Sequence, residues 1–181
     1  MGRGSGACAS VRTPRSELSS MPVGAASWSF TEDDYSAILR ALQQVLYDSN
    51  ARCALLVDRS GQLVATVGEQ PHFDPTAFAT LTAADFSAND QLARLIGETE
   101  FNSLFHQGEQ ESMYLVDIAR RVILVILFDN RTTLGLVRLK VKPAVEELVR
   151  LFTVMFERDR DGTRPPNILA GAEDEIDRLF Q

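Results

Sequence analysis

The chain has 181 residues, of which 45% are hydrophobic and 24% charged, with a formal net charge of -7. This is ordinary globular composition with enough apolar material for one core. The acidic balance argues against nucleic acid or an anionic membrane as the main partner, because both need a basic footprint, and no stretch reaches the roughly 18 apolar residues of an integral membrane span.

Residues 1–27 carry basic, Gly- and Ser-rich sequence without the continuous apolar run of a secretory signal, and read as a disordered extension. Met21 offers an alternative start, since patterned sequence begins only near Trp28. Thr31-Glu32-Asp33-Asp34 is an N-cap followed by acid in the first turn. Tyr35, Ile38, Leu39, Leu42, Val45 and Leu46 then recur at helical spacing to about Asp48. Cys53 to Val57 and Gln62 to Val67 are two strands joined by the turn Asp58-Arg59-Ser60-Gly61, a hairpin. Gly68 to His72 is a loop.

Asp74-Pro75 opens a second helix. Phe78, Leu81, Ala88, Leu92, Leu95 and Ile96 are its expected inner face, and Gly97 lies near its C-cap. Ala79, Ala83, Ala84, Ser87 and Ala88 form a small-residue surface that lets another backbone approach, within the chain or between chains. After a short turn from Glu100 to Leu104, three strands are expected at Ser112–Ile118, Val122–Phe128 and Leu134–Val141. The second of these is apolar throughout, hence buried on both faces. Pro143 is expected to open a third helix with Val145, Leu148, Val149, Phe152, Met155 and Phe156 inward. Burying those six contributes about 10–15 kcal/mol gross, which places the helix in the core.

The natural solution is an α+β sandwich: a five-stranded antiparallel sheet flanked by helices on both faces, in the order α-β-β-α-β-β-β-α. The domain spans 28–158, followed by a linker at 159–170 and a short amphipathic motif at 171–181. In that motif Ile176, Leu179 and Phe180 share one face against Glu173, Asp174, Glu175 and Asp177. Three apolar groups do not offset the entropy of ordering about ten residues, so the segment needs a partner surface.

No constellation for chemistry emerges. Cys8 and Cys53 fit no metal-ligand spacing, Cys53 reads as a small buried hydrophobe, and a reducing cytoplasm is the default. His72 and His106 are far apart without a nucleophile nearby and read as surface histidines. Neither metal nor cofactor is expected. A sheet rim with charged loops, Phe128 through Arg138, points instead to contact with another protein.

The stretches Ala54-Leu55-Leu56-Val57-Asp58-Arg59-Ser60-Gly61-Gln62-Leu63, Leu81-Thr82-Ala83, Leu92-Ala93-Arg94-Leu95-Ile96-Gly97-Glu98 and Phe128 through Arg138 occur in an order that resembles the Roadblock/dynein-light-chain family over about residues 31–157. This resemblance implies the Roadblock/longin/profilin-like form of the sandwich. It also implies a homodimer, with pairing to tetramers open, whose sheets join edge to edge and whose second helices lie together on one face. Its partner would be a Ras-like small GTPase, whose hydrolysis it accelerates by bringing the GTPase's own arginine and glutamine to the nucleotide. Glu173 to Phe180 resembles a C-terminal segment that contacts the GTPase elsewhere and assists nucleotide exchange.

On that footing the second helix is the expected GTPase platform, with Thr82, Ala83, Asp85, Phe86 and Asn89 on or beside its small-residue surface. Phe86, off the expected core stripe, suits an interface anchor; burial under a loop is the alternative. Ile176, Leu179 and Phe180 form the C-terminal partner motif. Arg131 invites an arginine-finger reading, but a local salt bridge after Asp129-Asn130 is equally natural. Arg138 is expected on a strand face. Three functions follow: a GTPase-activating regulator with no active site of its own, a dimeric scaffold that docks a GTPase without changing turnover, and a small-molecule sensor, which would need polar groups inside the core.

Overall fold

The structure, a computed structural model, describes residues 30–160. Helix α1 (Glu32–Ser49) starts at a reciprocal capping box. The Thr31 hydroxyl accepts from the Asp34 N–H at 3.2 Å, and the Asp34 carboxylate accepts from the Thr31 N–H at 3.1 Å. Three acids in the first turn match the positive end of the helix dipole. Asn50 closes the helix in the left-handed region at φ 54°.

Strands β1 (Cys53–Asp58), β2 (Leu63–Gly68), β3 (Ser103–Gln107), β4 (Ser112–Ile118) and β5 (Val122–Phe128) form one antiparallel sheet in the order β2-β1-β5-β4-β3. Two further helices complete the fold, α2 (Pro75–Leu95) and α3 (Leu134–Arg160). Alternation along the strands divides the core. Ala54, Leu56, Leu124 and Ile126 face α1 and α3, packing with Ile38, Leu42, Leu148 and Phe152. Cys53, Leu55, Val57, Ile123 and Val125 face α2. β1 is buried along its whole length and β5 at all but one position, as expected for strands covered on both faces.

The five-stranded sheet and the element order agree with the sequence expectation, but one strand is elsewhere. Leu134–Val141 is not a strand; it is the start of α3. The Thr133 hydroxyl accepts from the Leu136 N–H at 3.3 Å, beginning the helix there. Val137, Val141, Ala144, Leu148, Phe152 and Met155 then bury one face with a period near 3.6. Pro143 therefore sits inside α3 rather than opening it. Its missing N–H deprives the Leu139 carbonyl of its usual donor, on the exposed side, where water can substitute. The missing strand is β3, where a turn is expected at Glu100–Leu104. It is short, lies at the sheet edge and pairs with β4 alone, so most of its residues are polar or exposed and its pattern is weak. Arg138, expected on a strand, lies on α3 with its guanidinium 5.8 Å from the centre of the Tyr114 ring.

The extension at 1–27 and the motif at 171–181 lie outside the described residues, as does the linker beyond Arg160, up to which α3 continues. Among the described residues no helix is long and apolar enough to cross a membrane.

The start of α1 is stapled to the end of α3: Arg158 donates to both Asp34 carboxylate oxygens at 2.7 Å. Burial alone would raise the Asp34 pKa, but the bonds from Thr31 and Arg158 together outweigh it and leave the group below its ordinary 3.8. A depressed folded pKa stabilises the fold above the unfolded value, and that contribution disappears as pH falls through the folded one. Asp34→Asn is therefore expected to lower stability at pH 7 by about 1 kcal/mol. In urea titrations, the gap between wild type and variant should close as the pH falls below 3.8.

Candidate partner-binding surface

The inner side of α2 is built from small residues and one large one. Ala79, Thr82, Phe86 and Ala93 are buried against the sheet, with Phe86 only 1% exposed. The Arg59 guanidinium lies over the Phe86 ring, 5.5 Å from its centre. Arg59 also pairs with Asp90 of α2 at 2.6 Å and with Asp117 of β4 at 2.8 Å. One arginine from the β1–β2 turn thus pins helix to sheet. Gly61, at φ +91°, lets the same turn approach α2: a Cβ there would stand 3.1 Å from Thr80 Cα.

The outer side of α2 is apolar as well. Leu81 is 69% exposed, Leu92 53%, Leu95 81% and Ile96 70%, and Ala84 and Ala88 lie between them, also exposed. Leu81, Ala84, Ala88, Gln91 and Leu95 follow the 3-4 spacing of a helix-pairing seam, with alanines near the middle and leucines at the ends. The expected inner stripe of α2 is thus largely its outer one. Phe78 is half-buried and packs on the core, but Leu81, Ala88, Leu92, Leu95 and Ile96 face outward. The positions fully buried under the helix are alanines, a threonine and one phenylalanine, with Phe78 packed beside them.

The outer stripe lies next to the free edge of β3. His106 of β3 and Asp85 of α2 meet at 2.9 Å (Nε2 to Oδ2), and Asn89 donates to the other Asp85 oxygen at 3.1 Å and to the Asp85 carbonyl at 2.8 Å. Edge strand and helix are therefore tied into one surface.

Of the five expected platform residues, Thr82 and Phe86 point into the core, while Ala83, Asp85 and Asn89 are half-buried on the flanks of α2. An aromatic anchor at Phe86 is corrected by this burial: the ring supports the helix from beneath. The sequence reading missed Arg59, His106 and the outward leucines. The available signal was the count of apolar positions on the second helix, which exceeds what one face can hold.

At one end of the sheet, Arg131 donates to Glu69 at 2.8 Å and to Asp129 at 3.0 Å, and Arg52 pairs with Glu69 and Glu111. Hydrogen bonds from Arg52 and Arg131 hold the Glu69 carboxyl below its ordinary range, and the bond to Glu69 raises Arg131. The local salt bridge is what the structure contains at Arg131. His72 is exposed. A cleft of about 390 Å³ at the C-terminal end of α2 is lined by Arg59, Asp90, Arg94, Thr99, Glu100 and Arg120. Arg59 is paired with Asp90 and Arg120 with Glu100, while Asp90 Oδ1 has no hydrogen-bond partner; the walls are charged, unlike the apolar walls typical of a small-molecule site.

Comparison with known proteins agrees with this geometry. The Roadblock/LC7 domain family profile matches residues 38–128. The structure of Myxococcus xanthus MglB is similar at 44% identity and TM-score 0.63, covering 65% of this chain and 95% of that one. The gliding protein MglB of Thermus thermophilus is similar at 34% identity and TM-score 0.65, covering 69% and 95%. A structure described as MglB with a tetrameric arrangement is similar at 34% identity and TM-score 0.65, covering 69% and 94%.

The two sides of α2 should respond differently to truncation. Phe86→Ala is expected to lower unfolding stability by about 3–4 kcal/mol through the cavity it leaves. Leu81→Ala, on the outer stripe, should change the stability of the isolated protomer by less than about 0.5 kcal/mol. Urea unfolding followed by circular dichroism at low protein concentration measures both.

Proposed function

Because the chain belongs to the Roadblock/LC7 domain family, we propose that it is an MglB-like regulator that accelerates GTP hydrolysis by a Ras-like, MglA-like small GTPase. The observation that carries this reading is the outward apolar stripe of α2 lying beside the free edge of β3. Two copies pair there edge to edge, their α2 helices side by side, and the central alanines let the helices come close. The paired surface, flanked by Ala83, Asp85 and Asn89 and held up from below by Thr82 and Phe86, receives the GTPase. Pairing of dimers into tetramers is supported by the tetrameric arrangement of one MglB structure.

No arginine is inserted in this mechanism. Arg131 is held by two carboxylates of its own chain, and extracting it would break both ion pairs and leave Glu69 and Asp129 to Arg52 alone. The protein instead binds the hydrolysis-competent conformation of the GTPase more tightly than the others, shifting its population, while the GTPase's own arginine and glutamine do the chemistry. The C-terminal motif Ile176, Leu179 and Phe180 engages the GTPase apart from this surface and assists exchange. On this reading the activity serves cell polarity and motility, in the cytoplasm at a cell pole.

A second reading, favoured by the same surface, is a dimeric scaffold that docks the GTPase or a cytoskeletal partner without altering turnover. Single-turnover hydrolysis by a Ras-like GTPase of the same organism, with and without saturating protein, separates the two. Acceleration that disappears when the GTPase's intrinsic arginine is replaced supports activation; binding without acceleration leaves the scaffold; absence of binding overturns both. Leu92→Asp combined with Leu95→Asp is expected to convert a dimer into a folded monomer in light-scattering chromatography, since each leucine contributes about 1–2 kcal/mol per protomer on burial.

A further inference from the structure

The first three turns of α3 carry a second outward apolar patch. Leu139 is 65% exposed and Leu136 37%, and Pro143 is exposed one turn further on the same side. Arg138, Lys140 and Lys142 flank it, and α3 contains no acid before Glu146. None of the three cations is in an ion pair among the described residues, while Arg59, Arg120, Arg131 and Arg158 all are. In a chain of net charge -7, this is a basic apolar strip with no acid in its own stretch of helix. Pro143 also offers no N–H to the Leu139 carbonyl, which leaves an acceptor at the centre of the patch.

The sequence contains the complement. Between Glu173 and Phe180 lie four acids and one arginine, with Ile176, Leu179 and Phe180 at helical spacing. The segment and the strip match in apolar content and are opposite in charge. From Leu139 to the end of α3 at Arg160 is about 32 Å at 1.5 Å per residue. The fifteen residues 161–175 span up to about 50 Å when extended, and their relaxed end-to-end distance is about 20 Å. The patch lies within the extended reach of the tail, and the tether supplies a high local concentration.

We propose that the C-terminal segment of each chain docks through Ile176, Leu179 and Phe180 on the Leu136–Leu139–Pro143 patch of its own α3, with its acids against Lys140 and Lys142. This inference does not depend on the GTPase reading. The docking is reversible, because the segment is short and its ordering is opposed by entropy. Any partner that takes the segment must first compete with α3, and any partner that takes the α3 strip releases the segment.

Zero-length carbodiimide cross-linking of the full-length protein, read by mass spectrometry, tests this. Links are expected from Lys140 or Lys142 to Glu173, Asp174, Glu175 or Asp177, in yields that fall with salt. Leu139→Ser and Ile176→Ser each leave the set of reacting amines and carboxylates unchanged, yet should lower the yield about fivefold or more. Leu139 is solvent-exposed, and an unchanged melting curve shows that its variant folds. Mixing isotope-labelled and unlabelled protein reports whether links stay within one chain. Absence of these links, yields unchanged in both variants, or links mainly between copies would each overturn the proposal.

Discussion

The α2 side of the sheet presents Leu55, Val57, Leu115, Ile123 and Val125 as a continuous layer of large side chains. The helix lying on that layer buries Ala79, Thr82, Phe86 and Ala93 fully and Phe78 in part. Its leucines are consequently turned outward. The exposed leucines of α2 are thus a geometric result of how the helix must sit, and they form the surface proposed for pairing. An arginine with two carboxylate partners and an aromatic ring fixes the helix in that position. Rotation of the helix, which would break up the outer surface, is therefore restrained.

Charge is organised around this layer in separate clusters. Arg59, Asp90 and Asp117 brace helix to sheet; Arg52, Arg131, Glu69, Glu111 and Asp129 close one end of the sheet. In both clusters the guanidinium groups are consumed by internal carboxylates. The protein has arginines near its rim but does not hold these free for insertion into a partner. The influence proposed on a nucleotide-binding partner therefore rests on shape and contact area.

The fold was legible where burial is two-sided or periodicity is unbroken. The apolar runs of β1 and β5, the hairpin turn at Asp58–Gly61 and the cap at Thr31 each rest on a local rule that tertiary context does not overrule. Legibility failed at Leu134–Val141, because alternating Leu and Val residues satisfy period 2 and period 3.6 over so short a window, and at β3, because a short edge strand need not be apolar. The half-buried placement of Ala83, Asp85 and Asn89 on α2 follows from helical spacing alone. The role of Phe86 could not be read that way, since a phenylalanine between alanines has the same appearance whether it anchors a partner or fills the one deep gap in a core. The His106–Asp85 contact joins residues 21 apart in sequence and becomes visible only once β3 is in place.

The staple between Asp34 and Arg158 has a topographic consequence. It fixes the root of the C-terminal segment on the helical pair α1 and α3, on the opposite side of the sheet from α2. A molecule seated against α2 is therefore screened from that root by the full thickness of the sheet. For the tail to touch such a visitor it must travel around a rim, so the number of residues between Arg160 and Ile176 becomes a ruler for what the tail can reach.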